Sequence, residues 1–224
     1  MTSFFASIFH VFKIIYRYFK EYPSISLFSS IKLNKRASKN GNPSICYRGT
    51  KVDLSGSSLI ISNGGKIIIN RKWSKKDSFN SLLFMGNNSK LLVGGASDFS
   101  FYSNSKIYIN NDATLCLGCG YINHDLSISC FNKITIGEGV CISEGVTIRD
   151  SDNHSIDNAS KTKTAPIYIG NHVWIGMNVT ILKGVNIGDG SVIAAGAVVI
   201  NDIPKNCLAG GVPARVLKEN ITWQ

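Results

Sequence analysis

Apolar residues return every six positions through the C-terminal half of the chain. Nine of these hexads open with a branched apolar residue: Ile136, Ile142, Ile148, Ile169, Ile175, Ile181, Ile187, Ile193 and Val199. A helix requires a period near 3.6 and a flat strand a period of two. A period of six therefore predicts short strands joined by regular corners, with every sixth side chain pointing into one narrow core. The rungs of such a parallel coil stack at about 4.8 Å.

A looser form of the same pattern continues upstream. Apolar-x-apolar triplets followed by Asn or Gly recur at 67–70, 91–94, 107–110 and 115–118. We therefore expect a coil domain over 49–206 and a C-terminal segment over 207–224. Residues 71–80 (RKWSKKDSFN) are predicted to leave the coil as an excursion, and residues 149–168 to form a loop where the hexads break.

The N-terminal residues 1–22 predict an amphipathic helix. Four basic residues fall within an arc of about 80° on an otherwise apolar surface: His10, Lys13, Arg17 and Lys20. Such a helix suits an anionic bilayer, and it equally suits packing on a neighbouring subunit or on the main domain. Pro23 marks its end, and 23–48 is interpreted as a linker. No apolar run reaches 18 residues, so we expect a cytoplasmic protein with at most peripheral membrane contact through residues 3–20.

Charge and cysteine content narrow the partners. The formal net charge of +10 indicates a polyanionic binding partner, such as an acidic membrane surface, nucleic acid or a ligand with several phosphates. The sequence has no zinc-finger or RNA-binding aromatic motif, so nucleic acid is not expected. The six cysteines include one C-x-x-C pair, Cys116 and Cys119. Because no second such pair follows to complete a set of four ligands, a zinc site is not expected. We expect free thiols in a reducing compartment.

The segment IGNHVWIGMNVTILKGVNIGDGSVIAAGAVVINDIPKNCLAGGVPARVLK, residues 169–218, resembles the C-terminal signature of the hexapeptide-repeat acyltransferases. More narrowly, it resembles the galactoside, maltose and polysaccharide O-acetyltransferase branch. The resemblance is dense over 121–218, weaker over 50–120 and absent over the first 45 residues. It implies an all-β fold, a left-handed parallel β-helix, here with an N-terminal amphipathic helix and a short C-terminal helix. It also implies a homotrimer that binds acetyl-coenzyme A (acetyl-CoA) between neighbouring coils, without a metal.

The loop IRDSDNHSID, residues 148–157, contains the candidate general base. Acetyl transfer from a thioester to a hydroxyl requires a base for the hydroxyl proton and donors for the developing oxyanion. The family keeps its base within a similar Asp/Ser/Gly-His segment, so the resemblance implies that His154 is the base. Asp150 and Asp152 are candidates to orient its ring. The alternative, that they are solvated loop carboxylates, stays open.

Two neighbouring residues are candidates for binding the sugar acceptor. Asn123 matches the asparagine with which the family contacts its acceptor, although an asparagine at this place also suits a turn. His124 either assists it or is a surface histidine. His172, in GNHVW, is expected to have a structural role at a corner.

The resemblance also implies a site for the thioester. Trp174 matches the family tryptophan beside the thioester and pantetheine arm, and Gly176–Met177 match the segment whose backbone N–H faces the thioester carbonyl oxygen. Ala195 would form the thin wall that pantetheine approaches.

The remaining coenzyme A positions lie further along the chain. Arg215 and Lys218 are placed to meet phosphates, and Lys183 would add to a basic groove. Ile200 and Asn201 occupy family positions where many relatives carry Thr-Lys, so one phosphate or adenine contact is expected to be lost.

Together these features predict an acetyl-CoA-dependent O-acetyltransferase acting on a sugar hydroxyl of a surface polysaccharide or its precursor. Direct transfer is expected, because no Cys or Ser has a histidine partner at a suitable spacing. The alternatives are an N-acetyltransferase of an amino sugar nucleotide and a non-catalytic β-solenoid that binds a partner. A zinc enzyme resembling the γ-type carbonic anhydrases is disfavoured, because the chain has no H-x-x-x-x-H.

Overall fold

The computed structural model describes residues 25–37, 42–74, 76–95, 97–154 and 163–224. The chain winds as a left-handed parallel β-helix with three flat faces. We call the nine-stranded sheet the first face, the seven-stranded sheet the second and the six-stranded sheet the third. Each turn passes through the first, second and third faces in that order. The bends between them are corner 1–2, corner 2–3 and corner 3–1.

The strands are numbered in chain order. The first face contains β1 Ile45–Cys46, β4 Ile67–Arg71, β7 Phe99–Tyr102, β10 Gly120–Ile122, β13 Val140–Ile142, β16 Trp174–Ile175, β19 Val192–Ile193, β21 Leu208–Gly210 and β22 Arg215–Lys218. The second contains β2 Thr50–Leu54, β5 Ser81–Met85, β8 Lys106–Ile109, β11 Ser127–Cys130, β14 Thr147–Arg149, β17 Thr180–Ile181 and β20 Val198–Val199. The third contains β3 Leu59–Ser62, β6 Lys90–Val93, β9 Thr114–Leu117, β12 Lys133–Ile136, β15 Ile167–Ile169 and β18 Asn186–Ile187.

The register confirms the six-residue period. Ile175 pairs with Ile193 and Ile181 pairs with Val199, so one turn takes 18 residues (193 − 175), or three hexads. The residues that open the nine hexads are all at most 1% exposed, and they line a single core that continues upstream through the predicted triplets. Burial of these side chains is what holds the coil closed.

The N-terminal end of the coil carries a helix, α1, over Leu27–Asn34. The Ser26 side chain caps it by accepting from the Ser29 N–H, and Leu33 is buried in the core of the coil. The prediction of a linker over 23–48 is therefore wrong for its described part, because α1 and β1 belong to the folded domain. The amphipathic helix predicted over 1–22 lies outside the described residues. Among those described, no helix has the length and apolar character needed to cross a bilayer.

The C-terminal segment differs from its prediction. The expected short C-terminal helix is wrong, because Arg215–Lys218 form β22, which pairs antiparallel with β21. An unpaired sheet edge offers backbone hydrogen bonds that override a modest helix propensity. The coil itself extends from Ile45 to Gly210, a few residues beyond the predicted 49–206 at each end.

The excursion between β4 and β5 is confirmed. Trp73 stacks on Tyr102 with ring centroids 4.7 Å apart. The Asp77 carboxylate accepts from Ser103 Oγ at 2.6 Å and pairs with Lys72 Nζ at 3.6 Å. Burial would raise the pKa of Asp77, but these contacts outweigh it and lower that pKa. The excursion is thus fixed onto the first face and corner 1–2.

Candidate active site

The loop with the candidate base leaves the coil at corner 2–3 as two antiparallel arms. The Ala165 N–H donates to Asp150 O, the Asp152 N–H donates to Lys163 O, both at 3.0 Å, and Ser151 bridges Thr164. His154 lies on the outgoing arm and is exposed. Residues 155–162 lie outside the described part of the chain. The break in the hexads is therefore a two-armed projection from an otherwise regular corner.

Asp150 anchors the outgoing arm to the turn above it. Its carboxylate is fully buried and accepts from the backbone N–H groups of Phe131 at 2.7 Å and Asn132 at 2.8 Å. The thiol of Cys130 lies 3.7 Å away. Burial raises the pKa of that thiol, and the Asp150 charge raises it further. The described hydrogen bonds of the Asp150 carboxylate go to these groups and not to His154, so its role in orienting the His154 ring stays a prediction.

Asp152 is bound to a lysine of the next turn. Its carboxylate lies 2.6 Å from Lys183 Nζ, and the two side chains are 45% and 25% exposed. Lys183 follows β17 at corner 2–3, directly after the residue whose N–H bonds Val199 O. The ion pair therefore places a cation close to the point where the His154 arm leaves the coil.

Ile200 and Asn201 continue the same corner one turn further along. Both follow β20 and both are exposed. Corner 2–3 thus brings together five of the predicted residues along one edge of the coil, and we call this the histidine edge: Asp152, His154, Lys183, Ile200 and Asn201.

Corner 1–2 brings together a second group, which we call the thioester edge: Asn123, His124, Gly176, Met177 and Ala195. Backbone bonds from Asn123 N–H to Ile142 O, from Ser143 N–H to Ile175 O and from Gly176 N–H to Ile193 O stack these corners in successive turns. The Asn123 Oδ1 is buried and has no hydrogen-bond partner among the described residues. His124 lines a small cavity under the excursion, with Trp73 and Phe79.

The oxyanion donor predicted for Gly176–Met177 is narrowed to one residue. The Gly176 N–H is already used, since it donates to Ile193 O at 2.8 Å. A Cβ on Gly176 would lie 2.7 Å from the Ala195 nitrogen, so only glycine lets the two turns approach this closely. Met177 is exposed, and its N–H has no hydrogen-bond partner in the ranges that the structure describes. Met177 is therefore the available donor.

Trp174 opens β16 on the outside of the first face and is 43% exposed. It presents an accessible aromatic surface two residues before the thioester edge. Arg215 and Lys218 lie on β22 at the end of the same face, and both are exposed. The Arg215 guanidinium donates to Ala214 O at 2.9 Å.

Trp223 is a residue that sequence reasoning missed. Its ring stacks on the ring of His172, with centroids 4.0 Å apart and planes 2° apart, and lies 6.0 Å from the ring of Trp174. His172 sits at corner 3–1 with a positive φ of 51°. The one feature of the sequence that could have pointed to Trp223 is its large aromatic side chain in the otherwise polar tail ENITWQ.

The two edges flank the second face of the coil. In this part its strands are two or three residues long, so the edges lie about 10 Å apart. Trp174 points outward from the first face, beyond the thioester edge. One chain therefore does not bring Trp174 and His154 onto the same surface.

Comparisons with known proteins identify the repeat and the relatives of the chain. The family described as "Bacterial transferase hexapeptide (six repeats)" matches residues 166–201. The chain is 44% identical over 102 residues to the galactoside O-acetyltransferase of Escherichia coli K12, covering 44% of this chain and 50% of that protein. It is 37% identical over 95 residues to the polysialic acid O-acetyltransferase of Escherichia coli O1:K1, covering 41% of this chain and 31% of that protein. The chain spans about half or less of the length of these curated relatives.

A solved structure extends the similarity beyond the repeats. The polySia-specific acetyltransferase NeuO is 30% identical, with a TM-score of 0.51, and the match covers 85% of this chain and 89% of NeuO. The matched region includes most of the N-terminal turns, where the hexads are irregular. The chain therefore belongs to the hexapeptide-repeat acyltransferases, in the branch that contains the galactoside and polysaccharide O-acetyltransferases.

Proposed function

We propose that the protein is an acetyl-CoA-dependent O-acetyltransferase that acts on a sugar hydroxyl of a surface polysaccharide or its precursor. The observation that carries the proposal is the exposed His154 on an arm that breaks the coil beside the Asp152–Lys183 pair. The relatives support it, since both curated relatives described above are O-acetyltransferases by name.

The residues present suit direct transfer. The His154 imidazole takes the proton of the sugar hydroxyl as its oxygen attacks the thioester carbon. The oxyanion that forms accepts a hydrogen bond from the Met177 N–H. Collapse of the tetrahedral intermediate breaks the C–S bond, and the imidazolium returns its proton to the departing thiolate. The products are the acetyl ester and free coenzyme A, and no covalent acyl-enzyme is required.

The thioester edge and the end of the first face suit coenzyme A. The small side chain of Ala195 leaves room for a pantetheine arm beside the exposed indole of Trp174. Arg215 and Lys218 at the end of the first face, with Lys183 from the histidine edge, supply cations for phosphate groups. Because Ile200 and Asn201 add no cation, phosphate binding would depend on these three residues.

The site would be completed by a second copy of the chain. Since Trp174 and His154 lie on different surfaces of one coil, a thioester held against Trp174 needs a His154 from a neighbour. A closed homotrimer provides three such grooves, each between the thioester edge of one chain and the histidine edge of the next. Asn123 Oδ1, buried without a partner, would accept a hydrogen bond from the sugar, with His124 beside it.

The test of the reaction is release of thiol from acetyl-CoA against a panel of sugars and oligosaccharides. We expect His154→Ala to lose at least ~100-fold in rate, the usual scale for removing a general base. Lys163→Ala, on the opposite arm of the loop, is the matched control and is expected to keep its rate. Normal turnover by His154→Ala would mean that another group accepts the proton. An amino sugar nucleotide acetylated in preference to every hydroxyl acceptor would replace O-transfer by N-transfer.

The test of the shared site is complementation between two inactive variants. Co-refolded His154→Ala and Trp174→Ala chains would form mixed trimers in which about a quarter of the grooves contain both native residues. We expect activity to reappear on mixing, to about that fraction of the native rate. A mixture that stays inactive while sedimenting as a trimer would place both residues in the same chain's site.

A further inference from the structure

The polar tail of the chain folds back onto corner 3–1. The Ile221 N–H donates to Asn206 O at 2.9 Å, which fixes the tail two turns below His172. Two residues later, the Trp223 ring lies flat on the His172 ring at 4.0 Å and 2°. The tail thus delivers one aromatic side chain to the corner that precedes Trp174.

Two hydrogen bonds lock this stack. Trp223 Nε1–H donates to His172 O at 3.1 Å, and His172 Nε2 lies 3.1 Å from Trp223 O. A carbonyl oxygen only accepts, so the second bond requires the proton of His172 to be on Nε2. Residues 51 positions apart therefore make three mutual contacts, which together fix both the tilt and the rotation of each ring.

The locked stack faces Trp174. The Trp223 ring is 6.0 Å from the Trp174 ring at an angle of 46°, within the range of a favourable tilted aromatic pair. Trp174 itself is 43% exposed, and its backbone N–H bonds Ser191 O in the next turn. The strand holds the Trp174 backbone, while an exposed side chain with no neighbour would sample several rotamers. Trp223 supplies a wall on one side of that indole.

We propose that Trp223 is a positioning residue: stacked on His172, it fixes the Trp174 indole in the orientation that receives the acyl-pantetheine arm. The inference rests on the proposed function, in which Trp174 lines the thioester site. It gives His172 a role as the support for Trp223, beyond that of a corner residue.

The kinetic test compares Trp223→Ala and Trp223→Phe with the native protein. We expect Trp223→Ala to raise the KM for acetyl-CoA about three- to tenfold, the scale of one aromatic contact, with little change in the KM for the sugar. The pH profile of kcat should be unchanged, since His154 is untouched. Trp223→Phe keeps a ring but loses the Nε1–H donor, so its KM for acetyl-CoA should lie between those of the native protein and Trp223→Ala. Tyr168→Ala is the matched control, because Tyr168 is 41% exposed on the third face and should leave every KM unchanged.

A spectroscopic test reads the contact without any ligand. The chain has three tryptophans, so 5-fluorotryptophan gives three ¹⁹F resonances that single substitutions assign to Trp73, Trp174 and Trp223. We expect Trp223→Ala to move the Trp174 resonance toward an averaged position and to leave the Trp73 resonance unchanged. A purely structural tail would lower the melting temperature without moving either the Trp174 resonance or the KM.

The outcomes separate this inference from the function on which it rests. A Trp174 resonance that stays fixed in a folded Trp223→Ala variant overturns the positioning role and leaves acetyl transfer intact. A resonance that moves with no change in the KM for acetyl-CoA also overturns it. If the native protein binds no coenzyme A and transfers no acetyl group, the proposed function fails and takes this inference with it. Should Trp223→Ala not fold, the same comparison is made with Trp223→Phe.

Discussion

The two halves of the coil share one core but differ in the length of their strands. β2, β4 and β5 in the N-terminal half each contain five residues, whereas β16 to β20 in the C-terminal half contain two each. Short strands make narrow faces and bring successive corners close to one another. Apart from Asn123 and His124, every proposed site residue lies at or after Asp150. The regular half therefore sets the geometry of the site, while the irregular half carries the excursion and helix α1.

The largest effect is expected when a core side chain is shortened to alanine on either side of the break at 149–168, which tests whether the two halves share one core. Ile107 and Ile181 are each at most 1% exposed, in β8 and β17 of the same face. We expect Ile107→Ala and Ile181→Ala each to lose ~2–5 kcal/mol of stability, since each leaves a cavity. Chemical denaturation measures this. Leu217→Ala, at an exposed position, is the control. A much smaller loss at Ile107 would mean that the N-terminal turns pack more loosely than their burial indicates.

A second test exploits glycines with opposite surroundings. The added methyl of Gly176→Ala would meet the backbone of Ala195, whereas that of Gly94→Ala meets no atom within 4 Å. We expect Gly176→Ala to lose ~1–3 kcal/mol through overpacking and at least about tenfold in kcat/KM for acetyl-CoA, because the donor Met177 shifts. Gly94→Ala should match the native protein in both melting and turnover. Equal behaviour of the two variants would remove the close approach as a determinant of the site.

A third test compares how much each of the two aspartates at the break, Asp150 and Asp152, contributes to stability. Asp150→Asn removes a buried charge that accepts two backbone N–H groups, and should lose ~1–3 kcal/mol of stability. Asp152→Asn breaks an ion pair with two partly exposed members, and should lose at most ~1 kcal/mol. Urea midpoints compare them directly. A larger loss for Asp152→Asn would mean that the ion pair with Lys183 stabilises the fold more than the buried carboxylate of Asp150 does.

The smallest effect concerns the first turn, where Cys46 lies beneath α1. Burial raises the pKa of Cys46 to about 12, so at pH 8 it stays a thiol and its thiolate is scarce. We expect a disulfide reagent to label the partly exposed Cys116, Cys119 and Cys141 in the native protein and to reach Cys46 only after denaturation. Early labelling of Cys46 would show that α1 opens readily and that the first turn is less tightly closed than the rest.

Local spacing accounts for what could be predicted. The hexad openers define the core because each one recurs at a fixed interval, and the break at 149–168 stands out against that interval. The position of His154 on a projecting arm follows from the same contrast. The pattern also identifies the excursion at 71–80, where apolar alternation stops and resumes.

Long-range contacts account for what could not be predicted. The carboxylate of Asp150 binds amides 18 and 19 residues earlier, which no local pattern around the loop indicates. The ring of Trp223 reaches a corner 51 residues away. The segment ARVLK has a composition compatible with a helix, and only the open edge of β21 makes it a strand. Residues 27–34 resembled a tether because their apolar contacts lie in turns that follow them.

Within the described residues, each end of the stacked ladder carries a segment that departs from the parallel rungs. At one end α1 lies across the first turn, and Arg36 O receives the N–H of Ile60. At the other end, β22 runs antiparallel to β21, and its residues Arg215 and Lys218 are exposed. The hairpin between these strands bonds Val198 twice: the Val198 N–H donates to Gly211 O, and the Ala214 N–H donates to Val198 O. Parallel rungs left bare would template further rungs from another molecule, the route by which such folds grow into fibrils. A further parallel rung would therefore meet α1 at one end of the coil and an antiparallel strand at the other.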